Sequence, residues 1–286
     1  LFGELTGYPC CTSNMHQGWP KFTQNLWYAT NDKGIAALIY APSEVSAKVG
    51  NGKLITVKES TQYPFEEAIT FTFEFPDKKE EDVKFPFHLR IPQWCKNPAI
   101  TINGEEVMLE TRQGEIARIN RTWKNNDKVV LRLPMEVSIS RWYDGGAAVE
   151  RGPLLYALKM NENWQKKTTE PHETKRYGKW YYQVTSNSPW NYALPISNLR
   201  KENIDKAFIV ERKNRISDYP WTLQGAPLAI RTKGLRLPGW KEYNGSAGPV
   251  PYFTQQGEDV GDEENIELIP YGCSTLRIAV FPVRNK

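Results

Sequence analysis

The stretch Ile69-Thr70-Phe71-Thr72-Phe73-Glu74-Phe75 decides the fold class of this chain. Its apolar residues recur at every second position, with Thr and Glu between them. Successive side chains of a β-strand point to opposite faces, so this pattern describes a strand with one buried face and one wet one. The same period returns at Phe85, Phe87, Leu89 and Ile91. A charged stretch, residues 77–84, separates the two runs, which read as the arms of one hairpin. Residues 99–102 then lead into Asn103-Gly104. That dipeptide favours a two-residue hairpin turn, whose central positions both need positive φ. Further short runs follow at 116–119, 129–133, 137–139 and 149–158. Many short strands separated by turn residues predict an antiparallel sandwich or barrel.

Upstream of Gly34 the period is different. Met15, Trp19, Phe22 and Leu26 fall on one helical stripe, predicting a helix over residues 12–28 with Thr12, Ser13 or Asn14 as its cap. Pro20 interrupts it, because an interior proline removes a hydrogen bond; the helix either starts near Trp19-Pro20 or kinks there. Towards the other end, residues 160–178 are polar and charged and read as a linker or crossing loop. A second strand set follows at 180–184, 207–210, 227–231, 266–269 and 276–281. Residues 234–262 carry Gly, Pro and acidic side chains and read mostly as loop.

Composition excludes several classes of function. Of the 286 residues, 40% are hydrophobic and 24% charged, the balance of a folded chain rather than a disordered one. The net charge of +4 comes from 37 basic and 33 acidic residues spread along the chain, too even for a nucleic-acid surface. No apolar run approaches the roughly 20 residues that span a bilayer. The 10 Trp and 20 Pro suit short strands, turns and aromatic platforms better than long helices. The chain opens Leu1-Phe2-Gly3-Glu4 without Met, a basic region or an apolar leader, and so reads as the interior of a longer polypeptide.

Four cysteines are present, Cys10, Cys11, Cys95 and Cys273, with no Cys-x-x-Cys spacing to signal a zinc ribbon or a disulfide scaffold. Adjacent thiolates such as Cys10 and Cys11 can ligate one soft metal, and ligation lowers a thiol pKa enough to make it a nucleophile. The plainer alternative is two packed cysteines, since Cys is among the most buried residue types. His16 lies nearby, where a single His beside an aromatic stripe is commonly a packed one. Trp142-Tyr143, Trp180-Tyr181-Tyr182, Trp190, Trp221 and Trp240 could stack on the C–H faces of sugars or serve as core anchors. Glu258-Asp259 with Asp262-Glu263-Glu264 suggest calcium by charge but lack the Asp-x-Asp-x-Asp-Gly arrangement, so a solvated loop is the better reading. No carboxylate pair for glycoside hydrolysis can be assigned from spacing.

Several segments together resemble the C-terminal half of the glycoside hydrolase family 127 proteins, the β-L-arabinofuranosidase-like enzymes. They are Tyr8-Pro9-Cys10-Cys11-Thr12-Ser13-Asn14, Ile91-Pro92-Gln93-Trp94, the Asn103-Gly104 turn and Glu150-Arg151-Gly152-Pro153-Leu154-Leu155-Tyr156. Ser188-Pro189-Trp190-Asn191-Tyr192 and Ile269-Pro270-Tyr271-Gly272, followed by Leu276-Arg277-Ile278, complete the set. The resemblance implies a mainly β chain of two antiparallel β-sandwich domains, preceded by a short helical segment of an (α/α)6 barrel. Residues 1–30 would be that segment, 31–160 the first sandwich and 161–286 the second.

The chemistry implied by the resemblance is retaining hydrolysis, with Cys10 as nucleophile and zinc ligand and Cys11 as zinc ligand. The family's remaining ligands, a Glu and another Cys, and its Glu acid/base come from the barrel and have no matching position here. The chain alone is therefore expected to be inactive and at most weakly loaded with zinc. Thr12-Ser13 stands where many members carry two prolines, a departure that bears on substrate identity. The partners implied are the upstream helical barrel of the same protein and a plant-type oligosaccharide or glycoconjugate, with no nucleic acid and no membrane span, in a periplasmic or secreted setting. The alternative from another class is a non-catalytic carbohydrate-binding β-sandwich module that holds sugar on exposed Trp and Tyr.

Overall fold

A computed structural model describes residues 2–5, 7, 9–76, 82–108, 112–196, 198–251 and 260–284, apart from the side chains of Pro9 and Thr12. Tyr8 of the thiol segment and Glu258-Asp259 of the acidic run lie outside the described residues, as does most of the charged stretch at 77–84. The chain divides into two units, one formed by Cys10–Met135 and the other by Leu1–Pro9 with Glu136–Lys286.

The strand β1 (Phe2–Gly3) belongs to the second of these. In the first unit, two helices, α1 (Pro9–Met15) and α2 (Gly18–Gln24), precede the strands β2 (Trp27–Ala29) and β3 (Ile35–Ala37). Then come β4 (Ser43–Val49), β5 (Lys53–Thr61), β6 (Ala68–Glu74) and β7 (Val83–Arg90). The unit closes with β8 (Ala99–Ile102), β9 (Glu105–Val107), β10 (Ile116–Trp123) and β11 (Lys128–Arg132). One sheet has the order β10-β7-β3-β2 and the other β4-β5-β6-β11-β8-β9. Neighbours are antiparallel except β3 and β7, which run parallel with Ile35 opposite Phe87. Gly34 permits that approach, because a Cβ there would lie 2.1 Å from the Pro86 carbonyl oxygen.

The two phenylalanine strands are not arms of one hairpin. β6 pairs with β5 and β11, whereas β7 pairs with β10 and β3 in the other sheet. Their alternating aromatic faces meet across a shared core, with ring centroids 5.2 Å apart for Phe71–Phe87 and Phe73–Phe87, and 5.8 Å for Phe73–Phe85. Trp123 stacks on Phe73 at 4.4 Å and donates its indole N–H to the Phe85 carbonyl at 2.9 Å, so its polar tip is satisfied inside the core. Face-to-face packing of two inner faces is how a sandwich buries strands that each have one apolar side. The Asn103-Gly104 turn forms as expected: Ile102 pairs with Glu105, and the two turn residues have φ of 52° and 89°.

The single helix expected over 12–28 is two short ones. The break falls at His16-Gln17, and Pro20 sits in the first turn of α2, where its missing N–H has no intrahelical partner to lose. Leu26 is buried, but Met15, Trp19 and Phe22 are 76%, 72% and 40% exposed, so the predicted stripe is present and bare. Beyond α2 the chain enters the β2 strand, which joins the first sheet. Residues 1–30 therefore do not act as one segment: β1 pairs into the second unit and residues from Cys10 onward belong to the first.

The second unit contains β12 (Val137–Arg141), β13 (Ala147–Arg151), β14 (Leu154–Leu158) and β15 (Asn163–Thr168). After the one-turn helix α3 (Thr174–Tyr177) come β16 (Trp180–Thr185), β17 (Tyr192–Ala193), the helix α4 (Ile204–Ala207) and β18 (Ile209–Arg212). The last elements are β19 (Leu228–Arg236), the small hairpin β20 (Glu242–Tyr243) and β21 (Ser246–Ala247), and β22 (Glu263–Pro270). A seven-stranded sheet runs β12-β13-β14-β22-β19-β17, with β18 also on β19, and a separate sheet has the order β1-β16-β15.

Several expectations shift here. The boundary expected at 160 falls at 135, because β12, β13 and β14 hydrogen-bond into the sheet of β22 and β19. The run at 149–158 is two strands joined at Gly152-Pro153, with Arg151 opposite Leu154. The polar stretch 160–178 is not a plain linker: it holds β15, paired along its length with β16. Every side chain of β15 is exposed, which is why no buried face marked it in the sequence. Residues 204–207 are helical, and residues near 276–281 make only an isolated bridge, Ala147 to Phe281.

Candidate functional site

Cys10 and Cys11 are consecutive residues of α1, both exposed and both free thiols, with sulfurs 3.9 Å apart. The side chains of Ser13 and Asn14 turn back to the Cys10 carbonyl, the Oγ donating at 3.1 Å and the Nδ2 at 2.7 Å. Gln17 donates in turn to the Asn14 Oδ1 at 3.1 Å, so the polar residues of the segment brace the turn that presents the thiols. Thr12, one of the residues at the unusual Thr-Ser position, has no described side chain. His16 is exposed at the break between helices.

The spacing of the sulfurs bears on whether zinc fits. Two thiolates on one tetrahedral zinc, with Zn–S near 2.3 Å, stand about 3.8 Å apart. The pair at 3.9 Å matches one edge of that tetrahedron. Among the described residues no third His, Cys, Asp or Glu gathers with them into a metal-sized group. Cys10 and Cys11 would fill two of the four positions of such an ion. The other two cysteines are unavailable: both are buried, and Cys273 donates to the Pro220 carbonyl at 3.4 Å, with burial pushing its thiol up to about 11.

The aromatic candidates mostly pack. Trp240 is buried, donates to the Gly248 carbonyl at 3.0 Å and meets Trp190 edge-on at 5.0 Å. Trp221 packs over a small core of Ala226, Ala229, Ile269 and Cys273. Trp180 and Tyr182 meet edge-to-face, as do Tyr182 and Trp164, at interplanar angles of 72° and 75°, so this group offers no flat row to a sugar. Trp142 and Tyr143 are the open pair, 54% and 90% exposed, with the Trp142 indole donating to Ser140 Oγ. In the acidic run, Glu263 pairs with Lys233 at 3.7 Å and Glu264 with Arg236 at 3.8 Å, while Glu264 also accepts from the Tyr192 hydroxyl at 2.6 Å. Those carboxylates hold neighbouring strand side chains.

The other segments that carry the family resemblance are structural. Asn191 donates its Nδ2 to the Leu237 and Trp240 carbonyls at 2.7 and 3.2 Å, fixing the turn beyond β19. Glu150 accepts from Ser140 Oγ at 2.7 Å across the β12–β13 pair. Arg277 lies over the Tyr271 ring at 4.4 Å and donates to the Tyr271 carbonyl, closing the turn after β22.

Two charged groups in the first unit were not singled out from sequence. Glu59 stands in the inward row of β5 after Ile55 and Val57 and is 3% exposed. Its carboxyl accepts from the Ala41 N–H and from Ser43 Oγ, each at 3.1 Å, and burial pushes its pKa up to about 8. The signal was the alternation itself, which puts position 59 on the apolar face. Asp32 accepts from Thr30, from Arg118 Nε at 3.0 Å and from His88 Nε2 at 3.1 Å, and these contacts, the Thr30 hydroxyl foremost, hold it well below the usual carboxylate range. This cluster pins the turn before β3 to β7 and β10.

By fold and site, then, the chain is a mainly β region carrying an exposed pair of adjacent thiols. Residues 34–135 match the sequence model of the β-L-arabinofuranosidase GH127 middle domain. That match covers about a third of the chain and lies within the Cys10–Met135 unit. No curated protein matches the sequence. Among solved structures, a glycoside hydrolase is 19% identical with a TM-score of 0.64, covering 96% of this chain and 40% of its own. A GH127 β-L-arabinofuranosidase from Geobacillus stearothermophilus T6 is 20% identical with a TM-score of 0.63, covering 97% of this chain and 37% of its own. The GH127 β-arabinofuranosidase BT3674 is 19% identical with a TM-score of 0.63, covering 96% and 38%. The likeness establishes a shared fold, and the chain spans about two fifths of the length of the structures it matches.

Proposed function

We propose that this chain is the β region of a retaining glycoside hydrolase resembling the β-L-arabinofuranosidases, and that its share of the active centre is the Cys10–Cys11 pair. The observation that carries the reading is the sulfur spacing of 3.9 Å on a solvent-facing turn, in a chain whose residues 34–135 match the GH127 middle-domain model. Cys10 acts as the nucleophile. Its thiolate attacks the anomeric carbon and forms a C–S bond as the glycosidic C–O bond breaks, and a carboxylic acid from another part of the protein protonates the departing oxygen. Water, deprotonated by the same carboxylate, then displaces the sulfur, and two inversions give retention. Cys11 holds the neighbouring ligand position, and Ser13 and Asn14 keep the helix turn in register through the Cys10 carbonyl. Zinc, when bound between the thiols, would keep them deprotonated and positioned.

The reading divides the active centre between polypeptide segments. The remaining ligands and the acid/base come from a helical domain of the same protein, and Met15, Trp19 and Phe22 form the apolar face that domain covers. The substrate is an arabinofuranose-type sugar at a non-reducing end, following the names of the matched enzymes. The chain alone has no turnover. Activity of the full-length protein on an aryl β-L-arabinofuranoside tests this: Cys10→Ala should lower kcat by at least about a thousand-fold, of the order seen when a covalent nucleophile is lost. Full activity in that variant, or hydrolysis by the 286-residue chain alone, overturns it.

A further inference from the structure

The second unit contains a cleft of about 530 Å³ that takes no part in the thiol site. Its size lies in the range of small-molecule sites. Met160 and Ile269 give it an apolar floor, and Lys159, Lys213, Glu267 and Gln224 give it a polar rim. The Glu267 carboxylate is held between the Lys159 ammonium at 2.7 Å and the Lys213 ammonium at 2.9 Å. Lys213 also reaches Glu211 at 2.9 Å, and Arg231 reaches Glu211 at 3.1 Å.

We propose that this cleft binds one or two residues of a neutral sugar through a vicinal diol. An ammonium group has three donors and a carboxylate about four acceptor positions. These ion pairs use one donor of Lys159, two of Lys213 and two acceptor positions of Glu267. Donors and acceptors therefore remain side by side, and adjacent hydroxyls, each able to give and take a hydrogen bond, satisfy both. Three cations, Lys159, Lys213 and Arg231, face two carboxylates, Glu211 and Glu267, a balance that suits a neutral polyol better than a multiply charged anion. The apolar floor matches the C–H face of a sugar ring.

Both walls are already ordered. Asn214 Nδ2 donates to the Gln224 and Ala226 carbonyls, each at 2.9 Å, clamping the loop that carries Gln224. Asn161 Oδ1 accepts from the hydroxyls of Ser186 and Ser188 at 2.8 and 2.7 Å, and its Nδ2 donates to Asn187 at 2.9 Å. A ligand entering such a site pays little to organise it.

The test is saturation-transfer NMR and calorimetry on the chain with L-arabinose and a linear arabino-oligosaccharide, and with inorganic phosphate as the anionic probe. Saturable millimolar binding of a sugar is expected, weakened about five-fold or more by Gln224→Ala and by Glu267→Gln, as loss of one net hydrogen bond implies. Gln224 is exposed, so Gln224→Ala should keep the thermal midpoint and report on the cleft even if Glu267→Gln unfolds. Cys10→Ala should leave this binding unchanged, which separates the cleft from the thiol site. No sugar binding, sugar binding indifferent to Gln224→Ala, or phosphate binding in preference to sugar overturns the proposal.

Discussion

Replacing Glu59 with Gln should flatten the pH dependence of stability between pH 5 and pH 8. The Glu59 carboxyl is buried in the inward row of β5, and burial lifts its pKa from 4.5 to about 8, against the opposing pull of Ser43 and the Ala41 N–H. The folded chain therefore keeps a proton that the unfolded chain releases. With a folded pKa above the unfolded one, the folded state is fully favoured below pH 4.5 and loses stability as pH rises through about 8. Linkage across these two values gives a loss of about 3 kcal/mol between pH 5 and pH 8. Urea unfolding followed by circular dichroism at a series of pH values reads this directly. The wild-type midpoint should fall steadily, and the Glu59→Gln midpoint, with no proton to release, should stay nearly level. A wild-type midpoint that is constant or rises over this range, or a variant that falls in parallel, refutes the burial argument. Asp32 does not confuse the test, because its depressed pKa confines its effect to pH below its ordinary 3.8.

Asp32 makes its own contribution at the acid end: stability conferred by the Thr30, Arg118 and His88 contacts is present above pH 3.8 and disappears as pH falls through the lower folded value. Acid titration followed by tryptophan fluorescence should show Asp32→Asn already destabilised at neutral pH and missing that acid step. Phe73→Ala removes a fully buried ring that meets Phe85, Phe87 and Trp123, and should cost about 3–5 kcal/mol in denaturant unfolding; a loss under 1 kcal/mol would contradict the shared core. The double variant Trp19→Ser, Phe22→Ser removes exposed rings, so the thermal midpoint should hold while self-association measured by sedimentation velocity declines.

Local pattern located strands well and their partners poorly. Alternation at 69–75 and 85–91 specifies which side of each strand is buried, but it carries no information on which neighbour completes the ladder. Two apolar faces that look like one hairpin are equally the two halves of a sandwich, and only the core contacts of Phe71, Phe73 and Phe87 distinguish them. Asn103-Gly104 was readable because its requirement is local, two positive φ angles in succession. β15 was unreadable for the opposite reason: a strand exposed on both faces has no buried row. At the thiol site the adjacent cysteines stand out in the sequence, whereas their 3.9 Å spacing and open position belong to the folded helix. Lys159, Lys213 and Glu267 come from β14, β18 and β22 neighbourhoods far apart in the chain, so no motif could have announced the cleft.

The pairing of Phe2 with Tyr182 makes the opening residues a splint for strand β16, with the Leu5 amide donating to the Tyr177 carbonyl and the Phe2 ring resting 5.4 Å from Trp164. During synthesis β1 must wait for all the residues between Gly3 and Trp180 before its seat on β16 exists, so it docks later than strands whose partners are near in sequence. Trimming the chain back to Cys10 would strip one flank of β16, turning its amide and carbonyl row into an adhesive edge beside an uncovered tryptophan.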